Sequence, residues 1–130
     1  MPGRVMIFDD DTDLLKVCSI VLKSKNYEVF VFHKCNDILE EVKTHAPNVI
    51  LMDNWIPDSG GVKAIQQIKK DKFLRSIPVV FVSANDFVQE LAAEAGADFY
   101  LRKPFEIDEL EGLIYRAVSI HLQRPVSEML

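Results

Sequence analysis

Cysteine is scarce in this chain: Cys18 and Cys35 are the only two among 130 residues. They form no CxxC pair and no histidine-rich cluster surrounds them, which excludes a disulfide framework and argues against a zinc module. Packing thiols in a reducing compartment are the expectation. Long apolar runs are also missing. The first, Val5 to Phe8, is too short for the core of a signal peptide or for a membrane span. Positive charge is in the minority, with 15 Lys and Arg against 20 Asp and Glu and a net charge of −5. No basic stripe of the kind that binds nucleic acid is visible. These absences leave a cytoplasmic domain that contacts neither membrane nor nucleic acid directly. What is present is ordinary globular material, 48% apolar and 27% charged. The length fits one domain, able to bury roughly two-thirds of its unfolded surface.

Short apolar runs alternate with amphipathic stretches. Val5 to Phe8 reads as a buried strand running into Asp9, Asp10 and Asp11. From Asp11 to Lys25, the residues Leu14, Leu15, Cys18, Val21 and Leu22 recur at helical spacing, with Asp11 or Thr12 as the cap. A second strand spans Tyr27 to Phe32. A helix capped by Asn36 or Asp37 follows, carries Ile38, Leu39 and Val42, and stops at Pro47. The third strand, Val49 to Met52, ends at Asp53, and a helix with Val62, Ile65 and Ile68 on one side comes next. Val79 to Val82 forms the fourth strand, ending at Ser83. A weaker helix from Phe87 to Ala95 is closed by Gly96, and Phe99 to Leu101 is a short fifth strand before Lys103-Pro104. The last helix, Ile107 to Gln123, turns Leu110, Leu113, Ile114, Ala117, Val118 and His121 inward. Five strands alternating with five helices predict a doubly wound parallel α/β sheet with helices on both faces. The domain is placed at residues 1–124, with 125–130 as a frayed tail.

Ligands in such folds bind outside the carboxyl ends of the strands. Four of the five strands deliver a polar group to that edge: Asp9 to Asp11, Asp53, Ser83 and Lys103. Singly, each has a commonplace role as a cap, a turn former or a solvated lysine. The full set on one edge is improbable by chance. Clustered carboxylates repel by about 4 kcal/mol per pair at 4 Å and an effective dielectric near 20, so a cation must offset them. A hard divalent ion such as Mg²⁺ suits an all-oxygen site, and Lys103 adds a fixed positive charge. A carboxylate nucleophile, a metal, a hydroxyl and a lysine make a set suited to phosphoryl transfer.

Phe8-Asp9-Asp10-Asp11, Leu51-Met52-Asp53, Val82-Ser83-Ala84 and Lys103-Pro104-Phe105 together resemble the motif set of receiver domains of bacterial two-component response regulators. The likeness covers residues 4 to about 124, with the motifs in order on the matching elements. It implies a flavodoxin-like sheet of order 2-1-3-4-5, as in the chemotaxis regulator. It also implies Asp53 as phosphoacceptor and Mg²⁺ held by Asp9, Asp10, Asp53 and the backbone carbonyl of Trp55. Ser83 matches the switch hydroxyl, Lys103 the phosphate-pairing lysine, and Tyr100 the aromatic that swings inward on activation. Pro104 would follow a cis peptide bond. The implied partners are a sensor histidine kinase or a histidine phosphotransfer protein, and a downstream protein or second copy on the face of the fourth helix, fifth strand and last helix. The domain would be no enzyme beyond catalysing its own phosphorylation and dephosphorylation. Trp55 stands where family members control the hydrolytic water, so its indole is expected to shield the acyl-phosphate. One departure is Gly60, which stands where the family often has an acid.

Two rivals remain. A haloacid-dehalogenase-like phosphatase also places an aspartate after its first strand, which would make Asp9 the nucleophile. Asp13, however, stands where that family expects Thr or Val, and Asp53 would be left without a role. The other is a receiver-shaped binding module that never takes phosphate, against which the complete acid set argues.

Overall fold

The computed structural model describes residues 3–55 and 60–123. The elements run β1 (Arg4–Phe8), α1 (Thr12–Ser24), β2 (Glu28–Phe32), α2 (Ile38–His45), β3 (Val49–Asp53), α3 (Gly61–Lys70), β4 (Val79–Ser83), α4 (Val88–Ala95), β5 (Phe99–Arg102) and α5 (Ile107–Gln123). Every strand pair is parallel, in the order β2-β1-β3-β4-β5. This is the predicted five-stranded doubly wound fold. The chain reverses direction across the sheet between β1 and β3, which opens a crevice at their carboxyl ends.

The central strands are apolar without alternation because both of their faces are covered. Every residue of β3 and β4 is buried, as is β1 after Arg4. Successive side chains point to opposite faces, so each strand divides its residues between two cores. Met6, Phe8, Ile50, Met52, Val79 and Phe81 pack toward α2, α3 and α4. Val5, Ile7, Val49, Leu51, Val80 and Val82 pack toward α1 and α5. Cys35 belongs to the first core and Cys18 to the second, so the sheet lies between the two cysteines.

Local chemistry sets the ends. The Asp11 carboxylate accepts from the amides of Asp13 and Leu14, each at 3.1 Å, and starts α1. Asp37 does the same for α2 through the Glu40 amide at 3.2 Å. Such caps contribute about 1 kcal/mol each. β2 begins at Glu28 rather than Tyr27, because the Tyr27 amide donates back to the Leu22 carbonyl and closes α1. Phe87 precedes α4 instead of opening it, since its amide is held by the Asn85 side chain. Among the described residues, no helix is long and apolar enough to cross a membrane. The expected tail, 125–130, lies outside the described residues.

Candidate functional site

Among the described residues, the buried polar or charged side chains are Asp9, Asp53 and Ser83. They lie at the carboxyl ends of β1, β3 and β4, side by side in the sheet. Burying a carboxylate is costly unless it is paired. Here Lys103 provides the pairing. Its Nζ lies 2.8 Å from Asp9 Oδ2 and 2.8 Å from Asp53 Oδ1. The remaining oxygens are met by backbone amides: Asp11 N–H donates to Asp9 Oδ1 at 2.9 Å, and Trp55 N–H to Asp53 Oδ2 at 2.9 Å. Lys103 itself is held in place by its amide, which donates to the Ser83 carbonyl at 2.9 Å. The Lys103-Pro104 bond is cis, as the resemblance implied.

These contacts set the charges. Burial pushes the Asp9 carboxyl above its ordinary value, against the pull of the Lys103 hydrogen bond and the Asp11 amide, while nearby Asp53 pushes the same way as burial. Burial also disfavours a charged Lys103, but its bonds to Asp53 and Asp9 outweigh that and push its pKa up. The lysine is therefore a permanent cation in the pocket.

Exposed Asp10 completes an acidic cluster, with one oxygen from each of Asp9, Asp10 and Asp53 within 4.8 Å of the others. Three hard oxygen donors against one ammonium leave excess negative charge, and this donor set fits a divalent ion such as Mg²⁺. Asp11 stands outside that cluster, occupied as a helix cap. Ser83 Oγ accepts from the Asn85 amide at 3.0 Å, a bond that leaves the hydroxyl proton free of that contact.

One sequence expectation meets a different geometry. Trp55 is 72% exposed, so its indole does not roof Asp53 as expected, while its amide donates to the Asp53 carboxylate. Tyr100 is exposed on β5, and the expected inward swing on activation concerns a different state. Other features escaped the sequence reading. Arg102 at the end of β5 pairs with Asp86 in the β4–α4 loop. An apolar groove of about 520 Å³ runs beside Lys103, lined by Leu14, Val17, Ala84, Pro104, Phe105 and Ile107. Half-buried Leu14 and exposed Val17, three residues apart on α1, form its α1 side.

Fold and pocket together define a flavodoxin-like α/β domain of the chemotaxis-regulator type. Residues 5–115 match the family described as the response regulator receiver domain, and the chain belongs to that family. It is thus a signalling domain of two-component systems, and the phosphatase reading is not favoured. The transcriptional regulatory protein TrcR of Mycobacterium tuberculosis is 30% identical over 99% of this chain and 51% of its own length. CrdR of Helicobacter pylori is 32% identical over 89% of this chain and 55% of its own length. The chain thus spans about half the length of these curated relatives. Among solved structures, a response regulator from Chloroflexus aurantiacus superposes with a TM-score of 0.84 at 24% identity, covering 92% of this chain and 99% of that one. The receiver domain of the Pseudomonas aeruginosa sensor histidine kinase PA1611, solved with magnesium in its active-site cleft, gives 0.82 at 24% identity over 92% and 99%. At that identity the likeness is one of fold.

Proposed function

We propose that this domain accepts a phosphoryl group on Asp53 from the phosphohistidine of a sensor kinase or a histidine phosphotransfer protein. The observation that carries this reading is the Lys103 bridge between two buried carboxylates at adjacent strand ends. An Asp53 carboxylate oxygen attacks phosphorus, an O–P bond forms, the N–P bond of the donor breaks, and the imidazole leaves. Lys103 then pairs with an oxygen of the transferred group, and the Ser83 hydroxyl donates to another. Asp9, Asp10, Asp53 and the Trp55 carbonyl would hold Mg²⁺, which when bound supplies positive charge to the phosphoryl oxygens. The domain would catalyse only its own phosphorylation and dephosphorylation.

The apolar groove beside Lys103 suits a donor protein that must bring its phosphohistidine to this edge. On the output side, exposed Phe87 and Tyr100, with Arg116 of α5 over the Phe99 ring, populate the α4, β5 and α5 face, which would take a downstream protein or a second copy. Ser83 and Tyr100 would couple the phosphoryl group to that face as a two-state element. The domain would work in the cytoplasm, with 1–124 as its extent and no direct contact with nucleic acid or membrane.

The test is incubation of wild type and Asp53→Asn with Mg²⁺ and a small phosphodonor, read by intact mass and site mapping. Acyl-phosphate should form on Asp53 in wild type and be abolished in the variant. Phosphate on Asp9 would favour the phosphatase reading, and none at all the unphosphorylated module.

A further inference from the structure

Gly61 opens α3 and is buried against the end of β3. A Cβ at this position would stand 2.2 Å from the Asp53 carbonyl oxygen, 2.9 Å from Asn54 Cα and 3.0 Å from the Asp53 carbonyl carbon. All three atoms are backbone, so no side chain can swing away to make room. The left-handed glycines among the described residues are Gly60 and Gly96; Gly61 is needed for space and not for its dihedral angles. Its amide donates to the Asn54 carbonyl at 3.1 Å, closing the neck of the loop that begins with Trp55. Trp55 in turn donates its amide to the Asp53 carboxylate. One chain of contacts therefore runs from the first residue of α3, through the 53–54 peptide, to the acceptor oxygen.

We infer that Gly61 is a positioning residue: its missing side chain lets α3 seat against the Asp53–Asn54 peptide, holding the Asp53 carboxylate and the Trp55 backbone at the spacing a bound cation requires. The inference rests on the reading of Asp53 as acceptor. A methyl group here must displace the 53–54 peptide by roughly 1 Å to restore ordinary contact. Displacements of that size lower catalytic rates by about 100-fold. Gly112, where an added methyl would meet nothing within 4 Å, is the internal control.

The experiment compares the wild-type chain, Gly61→Ala and Gly112→Ala. Each is titrated with Mg²⁺ alone, read by Trp55 emission and by the Trp55 amide resonance, and its phosphorylation rate and urea midpoint are measured. For Gly61→Ala, we expect a displaced Trp55 amide resonance before metal is added, Mg²⁺ affinity weaker by about tenfold, and phosphorylation slower by about 100-fold. Gly112→Ala should match wild type in binding and rate. In wild type, the Gly61 amide resonance should follow the Mg²⁺ titration with the same midpoint as Trp55. A Gly61→Ala protein with wild-type affinity and an unmoved Trp55 amide overturns the inference. So does one that fails to fold, which would make Gly61 a folding requirement, or a Gly61 amide that ignores the metal in wild type. Wild type binding no Mg²⁺ would instead defeat the acceptor reading beneath it.

Discussion

The ammonium of Lys103 stands 2.8 Å from the Asp53 oxygen Oδ1, while the Lys103 side chain keeps 22% of its surface exposed and that of Asp53 only 4%. Asp53, the proposed acceptor, is thus buried, and its counter-charge reaches it from the more open side of the pocket. On the proposed reading, a phosphodonor would approach from that side.

Removing the lysine should expose what it offsets. In Lys103→Met, Asp9 and Asp53 face each other without a cation, and the metal-free protein should lose on the order of 2 kcal/mol. This is less than the roughly 3–5 kcal/mol of a fully buried pair, because the lysine is partly exposed. Urea melts with and without Mg²⁺ should show the metal restoring part of the loss; no change without metal would contradict the bridge.

The neighbouring aspartates should separate cleanly. Asp10→Ala should weaken Mg²⁺ binding more than Asp11→Ala, because Asp10 faces the acidic cluster and Asp11 caps α1. Asp11→Ala should instead cost about 1 kcal/mol of stability. Equal losses in a metal titration would show that Asp11 is a ligand as well.

Acidification should act in opposite senses on the metal-free and metal-loaded forms. Burial raises the Asp9 pKa above its ordinary 3.8, so the folded state favours the protonated carboxyl. Its contribution to metal-free stability is therefore present below the unfolded value and lost as pH rises through the folded one. Mg²⁺ requires the anion. Its stabilisation should fade as pH falls toward the raised Asp9 value, earlier than for an ordinary aspartate. Melting temperatures against pH, with and without Mg²⁺, should therefore converge on the acid side, and parallel curves would count against Asp9 as a ligand.

On the output side, Ser83→Ala and Tyr100→Ala should leave acyl-phosphate formation largely intact while impairing phosphate-dependent dimerisation or partner binding. Chemical shifts induced by beryllofluoride should spread over α4, β5 and α5. Shifts confined to the α1 and α2 side would place the output surface elsewhere.

Cys18 should be inert in the folded state. Burial, reinforced by Asp9 and only partly offset by Lys103, pushes its thiol up to about 11. The stability it lends is present below the ordinary thiol value and lost as pH rises through about 11. Iodoacetamide at pH 8 should modify neither Cys18 nor Cys35 until urea unfolds the chain. Rapid alkylation of native protein would mean that the α1 side of the core opens.

Much of this domain was legible in the order of its residues. Apolar runs such as Val49 to Met52 mark strands covered on both faces, and Leu15, Cys18 and Leu22 mark a helix with one buried stripe. Those signals are local, because strand and helix periods are written into consecutive positions. The acid-hydroxyl-lysine set was legible for a related reason: in a parallel α/β fold, strand ends share one edge. Register and distance are different. That Lys103 spans Asp9 and Asp53, that Asn48 meets His121 at 3.0 Å across 73 positions, and that Gly61 abuts the Asp53 carbonyl all depend on elements packed from distant parts of the chain. The same holds for the exposure of Trp55, which its place two residues after Asp53 does not reveal. Sequence alone determined which chemistry reaches the edge of the sheet. The packing of helices against that sheet decided, to within an ångström, which atoms meet there, because contact energies depend on separations that no linear pattern encodes.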